Sequence, residues 1–189
     1  MSRQSIVGLA LALVGVIWAG VAGAAGWDPL APQGETEQLE AAQQTIETFK
    51  ATDPGLEVYF QKAHGYAVFP TVGAGGFVFS GAHGTGIVYE KGTAVGRASL
   101  TQASFGFTIG IQTYSELLFF RDKAVLDRFK AGGTEFAAQA SAVMATAGAA
   151  AKTSYDNTGV AVFVHVKGGA MAEASVGGQQ FKYQPGLGD

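Results

Sequence analysis

The sequence predicts an α+β fold: a mainly antiparallel, curved or barrel-like glycine-rich β-sheet, preceded by an N-terminal helical pair and carrying one short interior helix. Three observations predict it. Residues 35–50 have helical apolar spacing. Beyond Gly65 the spacing changes to short β-type runs punctuated by glycine, of which the chain has 28. Within 104–112, Phe105, Phe107, Ile109 and Ile111 alternate with Gly106, Thr108 and Gly110, so one face is bulky and the other almost bare. A bare face admits close backbone approach or strong curvature, and from this a coiled sheet or barrel is expected.

The elements follow in chain order. Arg3 precedes an uncharged stretch, 4–27, with its apolar heart at 6–18 and small residues at Ala22-Gly23-Ala24. That is the layout of a signal peptide, and cleavage is expected between Ala24 and Ala25. An uncleaved anchor ranks second, because the most apolar part is short for a hydrocarbon core of about 30 Å. Residues 25–34, with Pro29, Pro32 and Gly34, read as a linker, and the domain is expected over 35–185. The first helix, 35–50, sets Leu39, Ala42, Ile46 and Phe49 on one stripe and acids elsewhere. Asp53-Pro54 offers an N-cap and a proline at the first helical position of a short second helix that stops at Gly65.

Strands are then expected at 66–69, 76–81, 86–89 and 95–100, with Glu90-Lys91-Gly92-Thr93 as a hairpin turn, and further strands at 104–112 and 115–120. Asp122 caps a short helix carrying Ala124, Val125, Leu126 and Phe129, which ends at Gly132-Gly133. The alanines of 135–152 favour helix, whereas its neighbours favour strand, and it is read as strand. The end is read as a strand at 159–167, a turn at Gly168-Gly169, a return strand at 170–176 and a last strand at 181–183.

The chemistry is sparse. The chain contains no cysteine, so disulfides, thiolate metal sites and a lipidated cysteine are excluded. Its formal net charge is −3, and loss of Arg3 with the leader makes it one unit more negative, so nothing draws it to nucleic acid. About 165 residues remain after the leader, enough for one domain. His64, His83 and His165 are scattered without metal-ligand spacing. No Gly-x-Ser-x-Gly elbow occurs, and the glycines of 81–86 lack the Lys-Ser/Thr of a phosphate loop. Glu116, Asp122 and Asp127 belong to different elements or faces. The reading is therefore a non-enzyme without cofactor.

Two features suit lipid. Arg121, Lys123, Arg128 and Lys130 concentrate positive charge on one short helix that can meet anionic head groups; the plainer account is a solvated face balanced by Asp122 and Asp127. Phe77, Phe105 and Phe107 can contact acyl chains, or simply pack a core.

The segments HGYAVFP at 64–70, GAGGF at 73–77, GTGIVY at 84–89, SLTQASFG at 99–106 and QTYSELLFF at 112–120 resemble the SYLF domain, also called the Ysc-type actin-binding domain. The resemblance runs through roughly 36–183 and implies binding of anionic phospholipid. Eukaryotic members bind phosphoinositides and fungal ones actin; an exported protein with a leader meets neither, so the partner expected is an anionic lipid or membrane surface in the periplasm or cell envelope. The acidic first helix departs from a basic membrane-surface helix. The alternatives are a small outer-membrane β-barrel, suggested by the leader, the glycine and aromatic content and the alternating strands, and a structural or protein-interaction role in the envelope.

Overall fold

The computed structural model describes residues 34–76, 79–132, 142–144 and 148–187. The leader, the cleavage point Ala24/Ala25 and Phe77 lie outside them. Helix α1, Glu35–Thr52, buries Ala42, Thr45, Ile46 and Phe49 and has Glu35 and Glu37 in its first turn, where the helix dipole favours negative charge. A single 3₁₀ turn, Pro54–Leu56, is capped by the Asp53 side chain and leads into α2, Glu57–Lys62. Strands β1, Gly65–Gly76, β2, Phe79–Glu90, and β3, Thr93–Phe120, follow. Then come α3, Lys123–Lys130, β4, Ala142–Met144, α4, Ala149–Lys152, and β5, Val160–Pro185.

The β2–β3 turn forms as expected: Lys91 and Gly92 both have positive φ, 49° and 81°, the backbone a two-residue hairpin loop needs, and glycine carries the second position without cost. The pairing of the longer strands is less expected. The first half of β3 pairs with β2, while its second half pairs with β1, and β1 pairs with β2. Strand β5 runs antiparallel to β3 along almost its whole length, from Gly96↔Pro185 to Phe120↔Val160. The β1–β2 hairpin therefore nests inside β3, which nests inside β5. Across the sheet the order of segments is 179–185, 93–105, β2, β1, 110–120, 160–166, with β4 added in parallel beside 162–164.

The α+β class, the antiparallel pairing and the N-terminal helices are as expected, but the curved or barrel-like sheet is not. The sheet is open: β4 pairs with β5 alone, and no ladder among the described residues joins β4 or the outer edge of β5 back to β1 or β2. The outer-membrane barrel falls with it, because a barrel must close its edges in lipid. Glycine has another use here. A Cβ on Gly86 would run into the Val68 carbonyl oxygen, beside the bulge in β1, so glycine serves close cross-strand approach rather than closure. The turn expected at Gly168-Gly169 is also absent, since β5 continues through it with a one-residue bulge at Lys167. Of 135–152, the described part is a three-residue strand and a one-turn helix.

Both faces of the sheet are covered. Tyr66, Val68, Ile87, Leu117, Phe119 and Phe163 pack against Ile46 and Phe49 of α1, Leu56 and Ala150. On the opposite face Phe69, Leu100, Leu118, Phe120, Val162 and Phe181 pack against Val125, Leu126 and Phe129 of α3. Adjacent residues such as Phe119 and Phe120 thus serve different cores, as the two-residue period of a strand requires.

Candidate functional site: an apolar pocket between α2 and α4

Asp53 builds the site. Its carboxylate is 1% exposed and accepts from the backbone N–H of Gly55 at 3.0 Å, of Gly148 at 3.2 Å and of Ala150 at 2.7 Å. Burial pushes the carboxyl up, but the hydrogen bonds from Ala150, Gly55 and Gly148 outweigh it and hold the group below its ordinary value. One side chain therefore caps the 3₁₀ turn and fastens α4 beside it.

Between these elements lies a cavity of about 330 Å³ lined by Gly55, Val58, Tyr59, Lys62, Ala150, Ala151, Thr153 and Tyr155. Its walls are mostly apolar. Tyr59 forms the floor: its ring packs against Phe119 at 5.2 Å and Phe163 at 5.3 Å, and its hydroxyl donates to the Thr153 carbonyl at 2.5 Å. Tyr155 packs on Tyr59 at 5.5 Å. Its hydroxyl is buried without a hydrogen-bond partner, and burial pushes it up to about 12, with Tyr59 adding to the rise and Arg121 opposing it. Val58 is 49% exposed, a large apolar side chain left open at the rim. Lys62, in the last turn of α2, is exposed and makes no ion pair among the described residues. An apolar recess with one cation at its edge has the makeup of a small-ligand site.

The four cations expected to contact lipid are each engaged elsewhere. Asp122 caps α3 by accepting from Val125 N–H at 3.1 Å and pairs with Arg121 at 3.2 Å. Lys123 pairs with Asp127 at 2.7 Å, one turn along the helix. Arg128 donates to the Thr158 carbonyl at 2.6 Å. Lys130 pairs with Glu90 at 2.7 Å and lies 5.6 Å from the Tyr183 ring centroid; the same Glu90 meets His64 at 3.0 Å. Arg121, Lys123 and Arg128 remain open to water, but their charge is already partly answered. Phe105 and Phe107 lie in β3 where it faces Val176 and Ala174 of β5.

Glu116 is the other polar group of note. It is fully buried on the α3 side of the sheet, takes a hydrogen bond from Gln179 at 3.2 Å, and leaves Oε1 without a partner. Burial raises it to about 7, and the Gln179 hydrogen bond only partly offsets this. Among the described residues no group of three histidine, aspartate or glutamate side chains is arranged to hold a metal.

The sequence marks Asp53 as a cap and Tyr59 as an apolar helix position, yet it does not reveal the pocket. Its second wall comes from α4, some 94 residues from Tyr59, inside an alanine stretch with no local signal of where it packs. No known protein-family pattern matches the chain, and no curated protein matches it either.

Proposed function

We propose that this chain is a non-catalytic binding module of the cell envelope that takes an acyl chain of an anionic lipid into the α2–α4 pocket, with Lys62 meeting the head group. The observation that carries the reading is the pocket itself. At about 330 Å³ it sits near the lower end of the roughly 300–1,000 Å³ of small-molecule sites, room for part of one chain rather than two. The resemblance of 64–120 to the SYLF domain points the same way. The α3 cations, being paired, contribute less than the free Lys62.

Co-flotation of the purified chain with neutral and anionic vesicles tests this. The wild type is expected to float with anionic vesicles and to release as salt rises. Lys62→Gln removes one unpaired charge near the surface, worth about 1 kcal/mol or roughly fivefold in binding. Ala151→Phe fills the recess and abolishes flotation while leaving the fold intact. Flotation unchanged by Ala151→Phe, or absent for the folded wild type, overturns the proposal.

A further inference from the structure

A second recess lies beside α1, and its chemistry is different. Strands β1 and β5 both carry bulges at the same level of the sheet. The β1 register shifts between Phe69 and Val72 against β3, and Lys167 is the extra residue between Val166 and Gly168 of β5, with Ser115 of β3 between the two. Bulges re-aim side chains, and here they bring Thr71 and Lys167 together: the Lys167 ammonium donates to Thr71 Oγ1 at 3.3 Å. With Gln44, Thr45 and Thr48 of α1 they enclose a recess of about 170 Å³.

The direction of its hydrogen bonds defines what it can hold. Thr45 donates to the Ala41 carbonyl at 2.8 Å, Thr48 to Gln44 at 2.9 Å, and Ser115, itself buried, to Pro70 at 2.7 Å. Those three hydroxyl hydrogens are committed, so the oxygens offer lone pairs and call for donors on a ligand. Lys167 supplies one positive charge, and no carboxylate pairs with it among the described residues. Surrounding protein pushes its ammonium below the ordinary value although the residue is open to solvent. One point charge balances one carboxylate, and the lone-pair oxygens around it favour a ligand that brings several hydroxyl donors beside its charge, which a phosphate dianion lacks.

We propose that this recess binds a small hydroxylated carboxylate, a sugar acid of the uronate kind, its carboxylate on Lys167 and its hydroxyls donating to Thr45, Thr48 and Ser115. The site is separate from the acyl pocket and stands or falls without it. The test is calorimetric titration of the full chain with D-glucuronate at low salt, beside glucose, acetate and inorganic phosphate. Glucuronate is expected to bind with a Kd of the order of 1 mM, and glucose and acetate about tenfold more weakly, since each lacks half of the match. Lys167→Gln should bring glucuronate down to the level of glucose, while Lys62→Gln leaves it unchanged; thermal melts of both variants report that they are folded. Glucuronate binding no better than glucose, acetate or phosphate, binding that survives Lys167→Gln, or no saturable binding by the folded wild type overturns the proposal.

Discussion

Glu116 and Asp53 are both buried carboxyls, and burial drives both toward the neutral form; what surrounds each decides the outcome. Asp53 receives three backbone N–H groups and ends below its ordinary value, whereas Glu116 receives one amide and rises to about 7. Their effects on stability therefore fall in opposite pH windows. With its folded value raised above the unfolded one, Glu116 leaves stability intact below the unfolded value and erodes it as pH climbs through the folded one. Each tenfold change in proton affinity is worth about 1.4 kcal/mol, so the erosion reaches the order of 3 kcal/mol. Glu116→Gln should accordingly stabilise the chain near pH 8 and make little difference near pH 4, read by urea unfolding at both; equal effects at the two pH values would refute the assignment. Asp53 behaves inversely, contributing above its unfolded value and losing that contribution as pH falls through its depressed folded value. Asp53→Asn should cost about 1–3 kcal/mol near neutrality, the deficit shrinking in acid, and it should also loosen the α2–α4 pocket that Asp53 fastens.

At the scale of elements, two glycines in the β1–β2 hairpin separate what the backbone demands from what it tolerates. A Cβ on Gly86 meets the Val68 carbonyl and lies 2.8 Å from Phe69 Cδ1, whereas one on Gly73 meets nothing within 4 Å. Gly86→Ala should destabilise by about 1–3 kcal/mol, as overpacking does, and Gly73→Ala should be neutral or stabilise by about 0.4–1 kcal/mol through lost freedom of the unfolded chain; comparison of their melting temperatures decides. Local physics of this kind explains which elements were legible. Helix α1, the Asp53 and Asp122 caps and the Lys91-Gly92 turn all depend on neighbours a few residues away, and each forms where the sequence puts it. The strands were legible as β but not in extent: the strand expected at 76–81 straddles the end of β1 and the start of β2, and Gly73, Gly75, Gly84, Gly168 and Gly169 read as breaks. They lie inside β1, β2 and β5, where hydrogen bonds to the adjoining strand carry the chain through positions with weak strand preference. The three-residue β4 gains its ladder only from distant β5, so no local pattern marks it. For the same reason no sequence pattern joins Lys62 to Tyr155: the pocket between them is a product of tertiary packing.

On the scale of the whole molecule, one sheet serves two cores. Phe119 and Phe163 look toward α1 and α2, while their neighbours Phe120 and Val162 look toward α3, so neither core can dissolve without breaking ladders that hold the other. The nested pairing strengthens this, since β3 touches β1, β2 and β5. An asymmetry in the aromatic residues makes the coupling measurable. Tyr59, Tyr66, Tyr89 and Tyr155 cluster on the α1 side or pack against it, whereas Tyr114 and Tyr183 are only partly buried against the other core. Phe129 lies on that other side, against Phe120 at 4.7 Å and Phe181 at 5.3 Å. Tyrosine near-ultraviolet dichroism therefore reports chiefly on the α1 core. Phe129→Ala opens a cavity beneath α3 and should cost about 3–5 kcal/mol, as should Phe49→Ala on the α1 side. If the sheet couples the faces, Phe129→Ala shifts the tyrosine transition by as much as it shifts the backbone signal at far-ultraviolet wavelengths, and both fall in a single step. A tyrosine transition left at its wild-type midpoint while α3 melts early would mean two cores that fold independently on one scaffold. The nested register argues against that outcome, because the residues of β3 from Leu117 to Phe120 alternate between the two cores and are held by β1 on one side and β5 on the other.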